Sequence, residues 1–402
     1  MAKSSEIAAR FLAIDAFLHT HRSFWQPRPF HGDPLPWTKQ APELAHWLRS
    51  KPQQWVDDNE DTAPLLPDCP PTLSELHRRA QTLCALPRLQ GVEHPLDLRL
   101  TRGIPGRKLG QIQAFAQVAL PRLRTPILAD WCAGKAHLSR SLAKLSGAQV
   151  HSYERDAGLC AKAESLAQAQ CVDLQAHVVD VCTHTPLLPD TATLVGLHAC
   201  GELTDIALAT AHREGLSALM LAPCCHHKRK SRSYVARSAL GQRASQLLQL
   251  EESALRLSTA RVVIATRRMR RIRANKMLYR VAYRHVVPGT FRSGPESWFT
   301  GDFNAFCVHL SEREGHVLPP FQAEQVLTQA RAEVLLARAM GMVRAPFRRP
   351  IELWLNLDRA LVLEEQGWSV EIGRFCSESI SPRDILIAAT RGEQQPDPLR
   401  YP

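Results

Sequence analysis

The chain has 402 residues, with 50 Lys and Arg against 39 Asp and Glu, a formal net charge of +11. That length suits two domains or one enlarged domain, and 45% hydrophobic with 22% charged residues argues against wholesale disorder. No apolar run approaches the roughly 20 residues needed to span a bilayer, so no membrane partner is expected. Residues 1–22 are amphipathic but contain Asp15 and lack the uninterrupted apolar centre of a signal peptide. Eleven cysteines without framework spacing read as reduced thiols, and a cytoplasmic location is expected. The charge is local: residues 226–284 hold 16 Lys and Arg and only Glu251 and Glu252, a balance of +14 that leaves −3 for the rest.

In chain order, Ile7, Phe11, Ile14 and Leu18 recur at helical spacing behind Ser4 and Ser5, plausible N-caps. Proline-rich stretches at 26–36 and 64–71 break up the first hundred residues. Trp25, Trp37, Trp47 and Trp55 crowd there as expected core anchors of a helical region. A further helix is predicted over Lys108–Leu120. From Pro126, β-rich runs (Ile127–Trp131, Gln149–Tyr153, Gln175–Val181, Thr193–Leu197, Ala218–Leu221) alternate with helical ones (Leu138–Leu145, Leu159–Ala169, Leu203–His212). This alternation predicts a parallel sheet with helices on both faces. Residues 231–285 and Phe321–Met342 read as helix. Pro350 opens a helix over Ile351–Gln366 that Gly367 stops. The last strands, Ser369–Cys376 and Ile385–Thr390, have no room for a crossover helix and must pair antiparallel.

The first predicted strand runs into Asp130-Trp131-Cys132-Ala133-Gly134-Lys135-Ala136-His137-Leu138. In a doubly wound sheet, ligands bind beyond the carboxyl ends of the strands. Cys132, Gly134 and Ala136 fill the three small positions of a G-x-G-x-G loop, and with one glycine the motif alone is weak. Glu154 ends the second strand, where an acid accepts ribose hydroxyls, and Asp180, followed by Val181, ends the third, placed for an adenine amino group. Either acid alone reads as a solvated strand end; three ordered strand ends together read as a nucleoside site. A dinucleotide needs its pyrophosphate over a glycine-rich helix N-terminus, whereas S-adenosylmethionine carries no phosphate and tolerates Cys132 and Ala136 better. Asp130 offers its cationic end a carboxylate, and the terminal hairpin also favours a methyltransferase over a nicotinamide-dependent oxidoreductase.

These residues carry a resemblance. Asp130–Leu138, Gly196-Leu197-His198-Ala199-Cys200-Gly201, Thr204-Asp205 and Pro223-Cys224-Cys225-His226-His227-Lys228 resemble the methyltransferase domain of methyltransferase-like protein 25 and its relatives. They are also similar to the vertebrate protein with a glutathione-transferase C-terminal-like domain. The H-x-C-G-x-x-T-D and C-C-H-H runs are similar to tRNA acceptor-stem 2′-O-methyltransferases. Leu357–Gly367 and Ser381-Pro382-Arg383 look like the end of the same domain. The resemblance implies a Rossmann-like class I fold with S-adenosylmethionine as cofactor. In it a seven-stranded, mostly parallel sheet ends in an antiparallel hairpin; outside the resemblance, the residues themselves read as a helical N-terminal region (1–104) and a helical, basic insertion (231–349). Residues 105–230 and 350–391 would form the methyltransferase domain. It carries the donor loop onto Asp130, Gly134, His137 and Leu138 and the ribose acid onto Glu154; Cys132 and Ala136 stand where related sequences commonly have glycine.

Methyl transfer is chiefly a matter of positioning, with a base or hydrogen-bond acceptor near a hydroxyl or amide nucleophile. His198, Asp205 and His226 are the candidates for orienting the acceptor or removing its proton. Cys200, Cys224, Cys225, His227 and Lys228 are expected to line the acceptor side. Four consecutive residues cannot all reach one tetrahedral ion, and Cys-Cys-His-His has no C-x-x-C partner, so no metal is expected; in the disfavoured metal reading Cys200 is a possible extra ligand. The basic segment peaks at Arg267, Arg268, Arg270 and Arg271, and five arginines spread around the helix repel one another unless a polyanion is bound. Tyr234, Tyr279 and Tyr283 interleave with the charge and are candidates for stacking on bases. The sequence therefore points to RNA methylation, tRNA foremost. A protein substrate and a non-catalytic RNA-binding role stay open as alternatives.

Overall fold

The computed structural model describes residues 5–60, 68–94, 98–101, 104–245, 248–260, 267–289, 291–292 and 294–391. Seven strands form the main sheet: β1 (Ile127–Trp131), β2 (Gln149–Glu154), β3 (Leu174–Val178), β4 (Thr193–Cys200), β5 (Ala218–Cys224), β6 (Ser369–Arg374) and β7 (Ile385–Thr390). The longer helices are α1 (Glu6–Thr20), α2 (Gly106–Ala119), α3 (His137–Ser146), α4 (Ala157–Ala169), α5 (Glu202–Arg213), α6 (Arg267–Val286), α7 (Phe303–Glu314), α8 (Ala323–Gly341) and α9 (Arg348–Glu365). Among the described residues, no helix is long and apolar enough to cross a membrane.

The sheet order is β3-β2-β1-β4-β5-β7-β6. β1 to β5 are parallel, and β7 runs antiparallel between β5 and β6. The seven-stranded sheet with its closing hairpin is the expected Rossmann-like methyltransferase architecture. Reversal of strand order between β1 and β4 brings the carboxyl ends of β1, β2 and β4 to one crevice. Period-two alternation covers both faces. Leu128, Met220, Leu386 and Ala388 pack with Ile112, Phe115 and Leu142 of α2 and α3. Trp131, Leu219, Leu221 and Ile387 pack with Ala207, Leu208 and Leu363 of α5 and α9.

The chain divides into two compact units, one of residues 1–20, 80–261 and 347–402, the other of 21–79 and 262–346. The first contains the whole sheet. In it α1 packs on α9 through Phe11 and Trp354, whose ring centroids are 5.0 Å apart, and the Trp354 indole donates to Asp15 at 2.9 Å. Ser5 caps α1 as its position suggests, accepting from the Ala8 amide at 3.0 Å; Ser4 lies outside the described residues. The second unit has its own core, in which Tyr279 and Tyr283 of α6 meet Phe299, Phe303, Phe306 and Leu310. Trp25 and Trp37 are buried in this unit, while Trp47 and Trp55 are half-buried and pair edge to face at 5.2 Å.

Residues 231–285 are not one helical run. Ser233–Tyr234 and Leu250–Glu251 pair as a short antiparallel ribbon, two short helices lie around it, and only α6 is long. Asp358 imposes this break: its carboxylate accepts from the Tyr234 hydroxyl, the Arg237 and Ser238 amides and the Ser238 hydroxyl at 2.6–3.1 Å, which pins the segment to α9. α9 itself begins two residues before Pro350, which occupies its first turn.

Gly201 joins β4 to α5 at φ +57°, and a β-carbon there would sit 1.8 Å from the Lys228 carbonyl oxygen. Gly201→Ala is expected to lower the unfolding free energy by about 3 kcal/mol or more, measured by urea denaturation, because backbone cannot yield as a side-chain tip would.

Candidate active site at the strand ends

The loop after β1 keeps the backbone of a glycine-rich turn without its glycines. Cys132, Gly134 and Ala136 all adopt left-handed conformations, with φ of +57°, +60° and +51°. Cys132 and Ala136 each accept a strain of about 1–2 kcal/mol that glycine would avoid. Ala136 is fully buried and immediately precedes α3, so the strained loop is locked between β1 and that helix. The Trp131 indole donates to the Leu203 carbonyl at 3.0 Å and anchors the loop from the other side.

Glu154 closes on this loop. Its carboxylate accepts from the Gly134 amide at 2.9 Å and from the Arg155 and Asp156 amides at 2.9 and 3.2 Å. A carboxylate offers about four acceptor positions, so one remains for a ribose hydroxyl. Asp180 lies two residues past the end of β3 rather than on its last residue, and accepts from the Cys182 amide at 3.0 Å. Cys132, Glu154, Asp180 and Val181 line one cleft of about 500 Å³ together with His198 and Cys200. A β-carbon built on Gly134 would meet nothing within 4 Å, so its side of the loop is open. An open loop backbone and two strand-end acids fit the nucleoside and amino-acid parts of S-adenosylmethionine.

Asp130, His137 and Leu138 lie beneath the loop instead. Asp130 is 2% exposed and accepts from the Ser139 hydroxyl at 2.6 Å, and burial pushes its carboxyl up to about 6. His137 Nδ1 meets the Arg140 guanidinium at 2.7 Å, and burial with that cation pulls the imidazole down to about 4. Leu138 packs in the core.

The three candidates for acceptor chemistry separate. His198 lines the cleft with φ +70°, its Nε2 2.9 Å from the Gln111 amide oxygen, and burial keeps its imidazole below the ordinary range. Asp205 and His226 lie behind the wall, 1% and 0% exposed. Arg359 of α9 holds both: its Nε donates to Asp205 at 2.8 Å and its Nη1 to His226 Nδ1 at 3.0 Å. Arg229 donates to the second Asp205 oxygen at 3.0 Å. Burial works against the Asp205 charge, but Arg359 and Arg237 more than offset it and hold the carboxyl below the usual range. Burial and Arg359 keep His226 well below its ordinary value, so it is neutral. Because arginine only donates, His226 Nδ1 accepts and Nε2 carries the proton.

Cys200 and Lys228 line the cleft, whereas Cys224 is buried with its sulfur 3.2 Å from that of Cys200. Cys225 follows at φ +46°, and the neighbouring Cys200 and Cys224 thiols favour its thiolate. His227 reaches outward to the Thr259 hydroxyl at 3.2 Å.

Arg268, Arg270 and Arg271 are exposed on α6, in the other unit; the Arg267 side chain lies outside the described residues. The tyrosines correct the sequence reading. Tyr234, Tyr279 and Tyr283 are all buried and bonded to Asp358, the Gly301 carbonyl and His316, so none is free to stack on a base. Core-facing positions on the basic helix α6 explain Tyr279 and Tyr283, and the short ribbon pinned by Asp358 explains Tyr234.

Sequence reasoning missed Gln111, Arg359, Arg383 and the cleft cations Arg155 and Lys230. Arg383, in the loop before β7, donates to the Thr259 carbonyl and acts electrostatically on His198, Cys225 and His226. Arg359 and Arg383 fall within stretches that already looked family-like; nothing local marks Gln111.

Residues 107–232 match a family model described as a methyltransferase domain. No curated protein matches the sequence. Solved structures of similar fold include magnesium protoporphyrin IX methyltransferase from Synechocystis PCC 6803 with bound SAH, at 11% identity over 80% of this chain and 95% of that one, TM-score 0.32. Another is geranyl diphosphate C-methyltransferase from Streptomyces coelicolor A3(2), at 14% identity over 63% and 96%, TM-score 0.24. Residues 107–232 therefore belong to a Rossmann-like methyltransferase domain, on the strength of the family match and the strand order.

Two substitutions test the charges under the site. Arg359→Met is expected to lower the unfolding free energy by about 3–5 kcal/mol, read by denaturant titration, because Asp205 loses a buried partner. Asp130 is raised above its ordinary 3.8, so its contribution to folding is full below that pH and is lost as pH rises through about 6. Asp130→Asn removes this loss, so stability of variant over wild type should grow by about 2–3 kcal/mol between pH 4 and pH 8.

Proposed function

We propose that this chain transfers a methyl group from S-adenosylmethionine to RNA, with tRNA the first acceptor to test. The observation that carries the acceptor class is a set of three cations, Arg155, Lys228 and Lys230, that share the cleft wall with the acids Glu154, Asp180 and Glu202. Cations there suit an acceptor with a phosphodiester backbone, and phosphate contacts dominate nucleic-acid affinity. The exposed Arg268, Arg270 and Arg271, and the likeness of the H-x-C-G-x-x-T-D and C-C-H-H runs to tRNA methyltransferases, support the same reading.

S-adenosylmethionine supplies an electrophilic methyl group on a sulfonium. Glu154 would hold the ribose through its remaining acceptor position, and Asp180, oriented by the Cys182 amide that donates to it, would accept from the adenine amino group. Gln111 orients His198: with the amide oxygen accepting, His198 Nε2 donates and the neutral ring presents Nδ1 as a lone pair. That lone pair is the base for an RNA hydroxyl or base nitrogen. Asp205 and His226 are positioning residues, acting through Arg359 on the loops that carry His198 and the cysteines.

A second reading, a non-catalytic RNA-binding protein, is favoured by one observation, the side chains at the left-handed Cys132 and Ala136. Calorimetry with S-adenosylmethionine separates the two, since the proposal requires saturable binding that Glu154→Ala weakens by roughly tenfold or more. Labelled methyl transfer into a cell lysate then tests the acceptor. Label removed by nuclease is expected; label that survives nuclease and is lost to protease makes the acceptor a protein. Replacing Arg268, Arg270 and Arg271 with Gln should reduce RNA affinity and flatten its salt dependence by a slope of up to about 3.

A further inference from the structure

Cys200 and Cys224 are register partners at the carboxyl ends of the adjacent parallel strands β4 and β5. Register partners project their side chains on the same face of a sheet, which accounts for the 3.2 Å between the two sulfurs. A consecutive residue on a strand would point to the opposite face, yet Cys225 joins them. Its left-handed φ of +46° breaks the alternation, and all three sulfurs lie within 4.8 Å of one another. The positive φ is unfavourable for a residue with a β-carbon, so the convergence is held against a local cost.

We propose that Cys200, Cys224 and Cys225 form a binding site for a thiophilic d10 metal ion, with zinc the physiological occupant, at the wall of the methyl-transfer cleft. Tetrahedral zinc at about 2.3 Å from sulfur separates its thiolates by roughly 3.8 Å, so the three sulfurs need only small adjustments to close on one ion. With Cys225 already favouring its thiolate, binding releases the protons of the Cys200 and Cys224 thiols and leaves a centre of charge −1. Two cations stand ready for it, since Lys228 and Arg383 both act electrostatically on Cys225. The Arg383 Nη1 atom is buried without a hydrogen-bond partner among the described residues, as a group awaiting an anionic neighbour would be. Three protein ligands leave a fourth position for water or an incoming group, and Cys200 borders the cleft. A disulfide between Cys200 and Cys224 would use only two of the three sulfurs and leave the Cys225 backbone unexplained. The Cys-Cys-His-His run alone could not disclose this site, because its third thiol comes from 24 residues upstream.

The test uses the full, reduced chain with Cd2+ as probe. One equivalent should saturate an ultraviolet thiolate-to-cadmium charge-transfer band. Cys200→Ser and Cys225→Ser should each reduce the band by roughly one third and weaken binding by ~10-fold or more, while Cys171→Ser, at an exposed cysteine, changes neither. In the unaltered protein, Zn2+ should slow alkylation of Cys200 and Cys225, mapped by mass spectrometry, without affecting Cys171. The proposal is overturned by the absence of a saturable band, by a band unchanged in both variants, by alkylation indifferent to Zn2+, or by a Cys200–Cys224 disulfide in protein purified under reducing conditions.

Discussion

Arg359 and Asp205 form the interaction on which the acceptor wall depends. Both are fully buried, and neither charge could remain there alone. Asp205 comes from the first turn of α5, just after β4, while Arg359 comes from the middle of α9, which leads into the terminal hairpin. The same guanidinium bonds His226, after β5, and the Gly201 carbonyl at 3.3 Å, at the tip of β4. One cation thus ties the two loops that carry the candidate acceptor residues to the helix behind them. Next to it, Asp358 pins residues 234–238 with four hydrogen bonds. These adjacent charges explain why a helix with so polar a centre is so deeply buried.

The donor side rests on a different constraint. Its loop must bring backbone close to a ligand, and it does so in left-handed conformations that two of its three small residues tolerate poorly. Glu154 stabilises the loop through the Gly134 amide, so the acid proposed to hold the ribose also serves as the clasp of the loop it faces. Asp130 supports the turn from below, in a carboxyl–hydroxyl pair with Ser139. Strain in the loop and a buried acid beneath it are features that functional sites accept at the expense of stability.

Much of this was legible in the sequence, for physical reasons. β1 was bounded correctly because an apolar run with its turn signal has few alternatives, and the hairpin followed from the short connection between its strands. Glu154 and Asp180 were visible because polar residues at strand ends stand out against apolar runs. The roles of Asp205 and His226 were not visible. Residues that follow strands can face the crevice or turn back into the core, and the choice was made by Arg359, some 150 positions away. Tyr279 and Tyr283 misled for a related reason: within a run of arginines, their amphipathic spacing marks a core face and not a stacking surface. The three-thiol cluster required strand register, which spacing alone does not supply.

Hydrogen–deuterium exchange of the full chain with and without S-adenosylhomocysteine tests the central claim most directly. The account predicts protection of the backbone amides at residues 132–137, 154–156 and 179–182, the loops beyond β1, β2 and β3. Protection confined to other segments, or none at saturating ligand, would contradict it.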